Sequence, residues 1–366
     1  MYFLTPAFMT SCRSCLNRES VMLLSTKLGL VLSGGGAKGA YQAGVLRYLA
    51  EKDIQPDAVS GASIGSLNGA VVASAGNVQT AAETLERVWH EVAENSPLKM
   101  DALAFLSFIL RISLAAFGGG AGRIAAASTQ HLARVLPEKY HKYVGDPVFF
   151  DNSPSVDILN RYAGLSEKDA GLPFWVSVYE SDGAIKDLLA FAKSSLGLSE
   201  SKDSNFICVN PLSEDEKRKA LLASSAIPLA YEAQTIGGKK YYDGGLGGAR
   251  AVQGNTPITP LIEHEKCSHI IVTHLQDGSF WDRNRFPDTT ILEIRPRGIG
   301  RKGLLDMLSF ERDVILEWMQ QGYEDAKASI EPVADGLAAF SHSRESQKKL
   351  DESAKQMADA LQWLKN

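Results

Sequence analysis

The turn Gly61-Ala62-Ser63-Ile64-Gly65 is the feature that most limits what this chain can fold into. It follows a short predicted strand at residues 57–60 and leads into small residues at 63–75 with a helical pattern. A GxSxG turn between a strand and a helix is so tight that only small residues fit beside the serine, whose hydroxyl is lifted above the sheet edge. The pattern therefore predicts a strand, a strained turn and a helix, with Ser63 as a candidate nucleophile.

A second glycine-rich segment, Gly34-Gly35-Gly36-Ala37-Lys38-Gly39, follows an apolar run at residues 27–33 and precedes a helical pattern at 40–50. Strand, glycine loop, helix, strand, turn and helix in this order are the start of an α/β sheet with right-handed crossovers. The loop can direct several backbone N–H groups at one point, and preorganised donors of this kind stabilise an oxyanion by about 3 kcal/mol each. We expect these six residues to form an oxyanion hole.

The same glycine segment also fits the GxGxxG pattern of dinucleotide-binding folds, with Asp53 or Asp57 near the expected acidic position. The second strand, however, runs directly into the GxSxG turn, where a nucleotide-binding fold more usually ends in an acidic residue. A phosphate-binding P-loop is excluded because the segment lacks the Gly-Lys-Ser/Thr ending. Dinucleotide binding is kept as a weaker alternative.

A serine nucleophile needs a base, and Asp243 is a candidate in the sequence Tyr241-Tyr242-Asp243-Gly244-Gly245. Taken singly, an Asp-Gly pair is more often a hairpin turn. Three histidines lie further along the chain, so a Ser-Asp-His triad is a second arrangement that the order of residues allows. They are His264, His269 and His274.

These three motifs, in their order and spacing, resemble those of patatin-like phospholipases. The resemblance extends over about residues 28–275 and includes Ala226-Ile227-Pro228 before the aspartate and Asn255 to Pro260 after it. One departure is the stretch from Leu246 to Gly254, which is longer than the usual link between the Asp-Gly-Gly motif and the following Asn-x-Pro.

The resemblance implies an α/β fold with a central mixed, mostly parallel sheet flanked by helices. It implies a Ser63–Asp243 dyad without histidine that cleaves acyl esters through an acyl-enzyme, with neither metal nor cofactor. Lys38 occupies the loop position that the family usually gives to Lys or Arg. The expected substrate is a phospholipid or another acyl lipid, as in a phospholipase A or lysophospholipase. A carboxylesterase or thioesterase with a triad, and a non-catalytic lipid-binding or interaction protein, are the alternatives.

Three regions are expected along the chain. Residues 1–26 are interpreted as a poorly ordered leader, 27–300 as the catalytic domain, and 301–366 as a helical extension packed on or beside it. Further strands are predicted at residues 173–180, 187–192, 205–209, 241–242, 269–275 and 290–294. Further helices are predicted at residues 81–92, 214–225, 256–266, 303–323 and 344–364.

The most hydrophobic window, residues 98–117, approaches the length of a membrane span, but Lys99, Asp101 and Arg111 argue against one. A buried core or cap helix is the favoured interpretation. The alternative is acyl-chain binding or peripheral membrane contact. The candidates for it are Leu103, Phe105, Leu106, Phe108 and Ile109.

Composition limits the class of protein and the partners that remain open. With 45% hydrophobic and 22% charged residues, the chain has the make-up of a soluble globular protein, and a net charge of -5 argues against nucleic acid as a partner. Four cysteines are too few for a disulfide framework and favour a cytoplasmic setting, with peripheral membrane contact as an option. Cys12 and Cys15 form a lone CxxC without a second pair, so no metal site is expected.

Overall fold

The computed structural model describes residues 27–95, 153–164, 171–195, 197–228, 231–249, 251–276, 281–297, 306–307 and 309–333. Within these ranges the strands form one eight-stranded sheet in the order β5-β6-β3-β2-β1-β7-β8, with β4 also paired to β3. The strands are β1 (Leu28–Leu32), β2 (Ala58–Gly61), β3 (Phe174–Glu180), β4 (Asn205–Cys208), β5 (Gln234–Ile236), β6 (Lys239–Asp243), β7 (His269–Thr273) and β8 (Thr290–Ile294).

The sheet is parallel in its centre and antiparallel on one side. Strands β3, β2, β1, β7 and β8 run parallel, whereas β4 and β6 pair antiparallel with successive parts of β3. Strand β5 pairs antiparallel with β6. The prediction of a mixed, mostly parallel sheet flanked by helices is therefore confirmed.

Helices cover the sheet. They are α1 (Ala40–Glu51), α2 (Ile64–Ser74), α3 (Val78–Asn95), α4 (Ser153–Tyr162), α5 (Ala184–Ser195), α6 (Glu214–Ser224), α7 (Thr259–Glu263) and α8 (residues 312–333). The largest core cluster lies on the face of Leu30 and Val176 and includes residues of α1, α2, α3, α6 and α8. A smaller cluster on the other face joins Val31 and Val272 to Leu261 of α7.

The strand predicted at residues 187–192 is wrong, because these residues lie within α5. The Asp187 carboxylate near the helix start accepts hydrogen bonds from the Ser181 hydroxyl (2.5 Å) and the Asp182 N–H (3.1 Å). Leu188 and Phe191 are three positions apart and therefore face the same cluster in a helix. A short apolar run cannot by itself distinguish a strand from such a helix.

Several sequence predictions concern residues outside the described ranges. These are the leader at 1–26 with its two cysteines, the hydrophobic window at 98–117 with the five candidate lipid contacts, and the helical pattern at 344–364. Helix α8 begins at residue 312, later than the pattern at 303–323 indicates, and continues to residue 333. No helix of the described ranges has the length and apolar character needed to cross a bilayer.

Helix α8 crosses α1 at a very close backbone approach. A Cβ added at Gly44 of α1 would lie 1.8 Å from the carbonyl oxygen of Met319, and one added at Gly322 would lie 1.9 Å from that of Tyr41. Trp318 is fully buried in the same contact, and the hydroxyl of Tyr41 donates to Asp325 at 3.1 Å. The described part of the C-terminal region thus belongs to the main core.

We predict that Gly44→Ala destabilises the protein by about 1–3 kcal/mol, which is the usual cost of overpacking. The sign is informative, because alanine in an uncrowded helix position stabilises by roughly 0.5–1 kcal/mol relative to glycine. Urea unfolding measures the difference, with Gly322→Ala as a second variant of the same contact. A gain in stability for both variants would contradict the close approach.

Candidate active site

Ser63 lies in a strained turn between β2 and α2. Its backbone has φ 51° and ψ −128°, which is unusual for a residue with a side chain. The turn is held tightly: the Ser66 N–H and hydroxyl both donate to the Ser63 carbonyl oxygen, at 2.8 and 2.6 Å. A Cβ at Gly65 would lie 2.0 Å from the carbonyl oxygen of Leu32, so a larger residue does not fit there. Crowding at the ends of β1 and β2 thus fixes the position of the serine.

Strand register brings Asp243 to the same level as Ser63. Strands β2 and β6 lie on opposite sides of β3, where Gly61 pairs with Val176 and Asp243 pairs with Val178. Ser63, two residues beyond Gly61, therefore comes level with Asp243. The Ser63 side chain lies close enough to the Asp243 carboxyl to lower its pKa, and this carboxyl accepts the Gly245 N–H at 2.8 Å.

The Asp243 carboxyl is buried, with 7% of the residue exposed. Burial raises the pKa of Asp243 to about 6, although the hydrogen bonds from Ser63 and the Gly245 N–H lower it. An aspartate with an ordinary pKa of about 3.9 is a weak base at neutral pH. Burial therefore makes the Asp243 carboxylate more basic than a solvated aspartate.

The glycine loop lies beside the serine. A Cβ at Gly34 would be 2.9 Å from the Cβ of Ser63 and 2.5 Å from Oδ1 of Asn255, so glycine is required there. The Gly34 N–H donates to the Asn255 carbonyl oxygen at 3.4 Å. No turn or loop hydrogen bond within the described ranges takes the N–H of Gly35 or Gly36. These N–H groups are the donors best suited to a developing oxyanion.

The second half of the loop, Ala37, Lys38 and Gly39, belongs to a short 3-10 turn. The Lys38 side chain is buried and its Nζ lies 5.7 Å from the ring centre of Trp318 in α8. Burial lowers the pKa of Lys38, and nearby Asp306 opposes this effect. The Lys38 side chain therefore contacts the C-terminal region, and the oxyanion hole predicted for residues 34–39 depends on their backbone.

A buried polar network holds the glycine loop to the surrounding helices. The Gln42 amide donates to the Ser33 carbonyl oxygen at 2.8 Å, and the Asn68 amide donates to the carbonyl oxygen of Gly39 at 3.0 Å and to Gln42 Oε1 at 2.8 Å. Trp89 Nε1 completes the network by donating to Asn68 Oδ1 at 3.1 Å. Both ends of the loop are thus fixed by side chains of α1 and α2.

The long link after Asp243 folds back on itself. The Ser204 hydroxyl donates to the Gly244 carbonyl oxygen at 2.5 Å, and the Gln253 N–H donates to the carbonyl oxygen of Gly248 at 3.2 Å. As a result Asn255 lies between the glycine loop and the Asp-Gly-Gly motif, with Oδ1 3.3 Å from a Cβ position on Gly245.

The three candidate histidines lie away from Asp243. His264 stacks on Trp175, which lies on the other face of β3. His269 is at the start of β7, at the end of the parallel strands away from the Ser63 turn. His274 at the end of β7 is hydrogen-bonded to Glu293 at 2.9 Å. Four strand spacings separate β7 from β6, roughly 19 Å at about 4.8 Å per strand. None of the three is placed to complete a triad.

The two acidic residues of the dinucleotide alternative also have other partners. The Asp57 carboxylate accepts the Leu28 N–H at 2.7 Å at the beginning of β2, far from the strand end where a ribose would bind. Asp53 bonds to Gln55 and Gln79. The structure therefore weighs against dinucleotide binding.

A family model described as patatin-like phospholipase matches residues 30–262. The chain belongs to the patatin-like phospholipase family. The match covers both glycine turns, Ser63 and Asp243, and it ends within the segment that carries α7.

Relatives share only a short stretch with this patatin-like chain. A patatin-like phospholipase domain-containing protein of Caenorhabditis elegans is 51% identical over 61 residues, 17% of this chain and 4% of the relative. Neuropathy target esterase sws of Drosophila melanogaster is 44% identical over 64 residues, 18% of this chain and 4% of the relative. Among solved structures, VipD from Legionella pneumophila is similar with a TM-score of 0.39 and 12% identity, covering 84% of this chain and 67% of VipD.

The sequence did not identify the side chains that hydrogen-bond to the backbone of the glycine loop and of Ser63. Gln42 and Asn68 are polar residues within otherwise apolar or small-residue helical segments, and this contrast is a signal that could have indicated a buried role. Ser224, whose hydroxyl oxygen accepts the N–H of Ser63 at 3.1 Å, gives no such signal because it ends a helix of ordinary composition.

We predict that Trp89→Phe destabilises the protein by about 1–3 kcal/mol, because it leaves the buried Asn68 Oδ1 without its donor. Trp175→Phe is the matched control, since it removes an indole hydrogen bond to the half-buried Glu265. Urea unfolding of both variants is the measurement. If both variants lose the same free energy of unfolding, burial of the Asn68 network does not strengthen its hydrogen bond.

Proposed function

We propose that this protein is a lipid acyl hydrolase in which Ser63 is the nucleophile and Asp243 the base. The observation that carries the proposal is the position of Ser63 at a strained strand-to-helix turn, level with the buried Asp243 carboxyl, whose pKa is raised. Membership of the patatin-like family supports a lipid ester as the substrate.

In the acylation half-reaction, Ser63 Oγ attacks the ester carbonyl carbon while its proton passes to Asp243. The carbonyl oxygen becomes an oxyanion, which the N–H groups of Gly35 and Gly36 stabilise. When the tetrahedral intermediate collapses, the bond to the leaving oxygen breaks and Asp243 returns the proton to the departing alcohol. The products of this step are the alcohol and an ester between the acyl group and Ser63.

In the deacylation half-reaction, Asp243 takes a proton from water, and the resulting oxygen attacks the acyl-enzyme. The same N–H donors hold the second oxyanion. Collapse of the intermediate returns the proton to Ser63 Oγ and releases the carboxylic acid. One acidic residue therefore performs both proton transfers, and no histidine takes part.

The substrate we propose is a phospholipid or another acyl lipid, met at a membrane surface from the cytoplasmic side. Leu103, Phe105, Leu106, Phe108 and Ile109 remain candidates for contact with acyl chains or the bilayer. Their role stays a prediction, since they lie outside the described residues.

We predict that Ser63→Ala and Asp243→Asn each lower kcat by at least about a thousandfold, because each removes a group that acts in every turnover. Hydrolysis of a short soluble ester and of phospholipid vesicles is the measurement, together with fluorophosphonate labelling of Ser63. Asp325→Asn is the matched control, a change of another buried carboxylate that bonds to Tyr41 and the Arg297 N–H. Substantial turnover by Asp243→Asn would refute the dyad.

A second prediction concerns pH. Asp243 must be ionised to accept the serine proton, so kcat/KM should rise with pH through a midpoint near the pKa of about 6. A midpoint near 4, the value of an ordinary aspartate, would show that the carboxyl is solvated.

A histidine base would titrate in a similar range, so the pH profile is repeated with single histidine variants. They are His264→Ala, His269→Ala and His274→Gln, the last of which keeps a donor for Glu293. The dyad predicts an unchanged midpoint in all three. If the rise of kcat/KM at low pH, the acidic limb of the profile, is lost in any one of them, the triad is favoured.

A further inference from the structure

The C-terminal end of α6 contacts the backbone of both proposed catalytic residues. The Ser224 hydroxyl oxygen accepts the N–H of Ser63 at 3.1 Å, and the carbonyl oxygen of Ala226, two residues later, accepts the N–H of Asp243 at 2.8 Å. Both residues are buried, with 0% and 1% exposed. Residues 224–226 thus bond to the backbone N–H groups of both Ser63 and Asp243.

The hydrogen bond from Ser63 to Ser224 opposes the strain of the turn. A residue with a side chain leaves positive φ readily unless its neighbours hold it there. The Ser63 carbonyl oxygen is held by Ser66, whereas within the described ranges the Ser63 N–H is held by Ser224. Loss of the Ser224 hydroxyl would leave that N–H without an acceptor and free the turn to relax.

The same stretch sets the separation between nucleophile and base. Two residues of extended chain span at most about 7 Å, so residues 224–226 tether the two backbones at a distance that suits a side-chain hydrogen bond. The tether is anchored, because Ala220, Leu221 and Ala223 at the end of α6 are buried in the main core.

We propose that Ser224 is a positioning residue, which holds Ser63 at the angle and distance from Asp243 that proton transfer needs. This proposal rests on the proposed Ser-Asp dyad. It assigns to Ser224 no contact with the substrate and no proton transfer.

The test compares Ser224→Ala with Ser225→Ala. Ser225, the residue after α6, is the matched control because, among the described residues, its hydroxyl bonds only to the carbonyl oxygens of Leu221 and Leu222. We expect Ser224→Ala to lower kcat on a soluble ester by about ten- to a hundredfold, the usual effect of misplacing a catalytic group by about 1 Å, with KM nearly unchanged. Ser225→Ala should keep nearly the full kcat.

The pH profile separates positioning from a general loss of structure. Hydrogen bonding by Ser63 and by the Gly245 N–H lowers the pKa of Asp243, and no charged group within the described ranges affects it. When Ser63 moves away, the pKa of Asp243 rises. The acidic limb of kcat/KM should therefore move to higher pH in Ser224→Ala and stay in place in Ser225→Ala.

Ser224→Cys covers the case in which the alanine variant does not fold. Its sulfur fills a similar volume and is a weak acceptor, so kcat should fall less than in Ser224→Ala and the acidic limb should shift in the same direction. Wild-type kcat with an unmoved limb in every Ser224 variant that folds would overturn the proposal, as would an equal loss in Ser225→Ala.

Failure of the dyad would be seen separately. If Ser63→Ala and Asp243→Asn retain turnover, the proposed function is wrong. If both are inactive and the Ser224 variants behave as wild type, only the positioning role is wrong.

Discussion

The buried charge of Asp243 constrains the rest of the site, because a carboxylate removed from water is tolerated only where donors satisfy it. The Gly245 N–H donates to it at 2.8 Å, and hydrogen bonding by Ser63 lowers its pKa against the effect of burial. Strand β6 runs antiparallel to β3, and its last residue, Asp243, comes level with the turn that follows β2.

Preorganisation of the site comes from buried polar groups with few conformations open to them. On one side, Gln42 and Asn68 fix the carbonyl oxygens of Ser33 and Gly39, the residues on either end of the glycine loop. On the other, the end of α6 fixes the N–H groups of Ser63 and Asp243. Dipoles stabilise a developing charge best when they need no reorientation, and both sets of contacts prevent such movement.

The sequence predicted the site best where chemistry is local. The glycine turns around Ser63 and Gly34 could be predicted because a tight turn or a close backbone approach limits the residue types within a few positions. Asp243 could be selected over other Asp-Gly pairs only through the family resemblance, since its meeting with Ser63 depends on a strand register. Ser224 could not be predicted, because it is 161 residues from Ser63 and only the packing of α6 brings them together.

The one strand that the sequence misassigned shows the same limit. Residues 187–192 contain an apolar run that suits either a strand or a helix, and the helix is favoured by the Asp187 carboxylate bonded to the preceding turn and by Tyr179 and Tyr242 on the facing strands. The choice between strand and helix depends on the residues that pack against this segment, and a local sequence pattern does not reveal them.

The glycine loop also has a neighbour from the far end of the chain. A Cβ at Gly36 would lie 2.2 Å from the carbonyl oxygen of Met307, and the Lys38 side chain is buried against Trp318 of α8. The loop is therefore held between the Ser63 turn on one side and the C-terminal residues on the other. Gly44 and Gly322 let α8 approach α1 directly. Helix α1 also carries Gln42, which fixes the start of the loop. Stability of the fold and the shape of the loop thus depend on the same contacts.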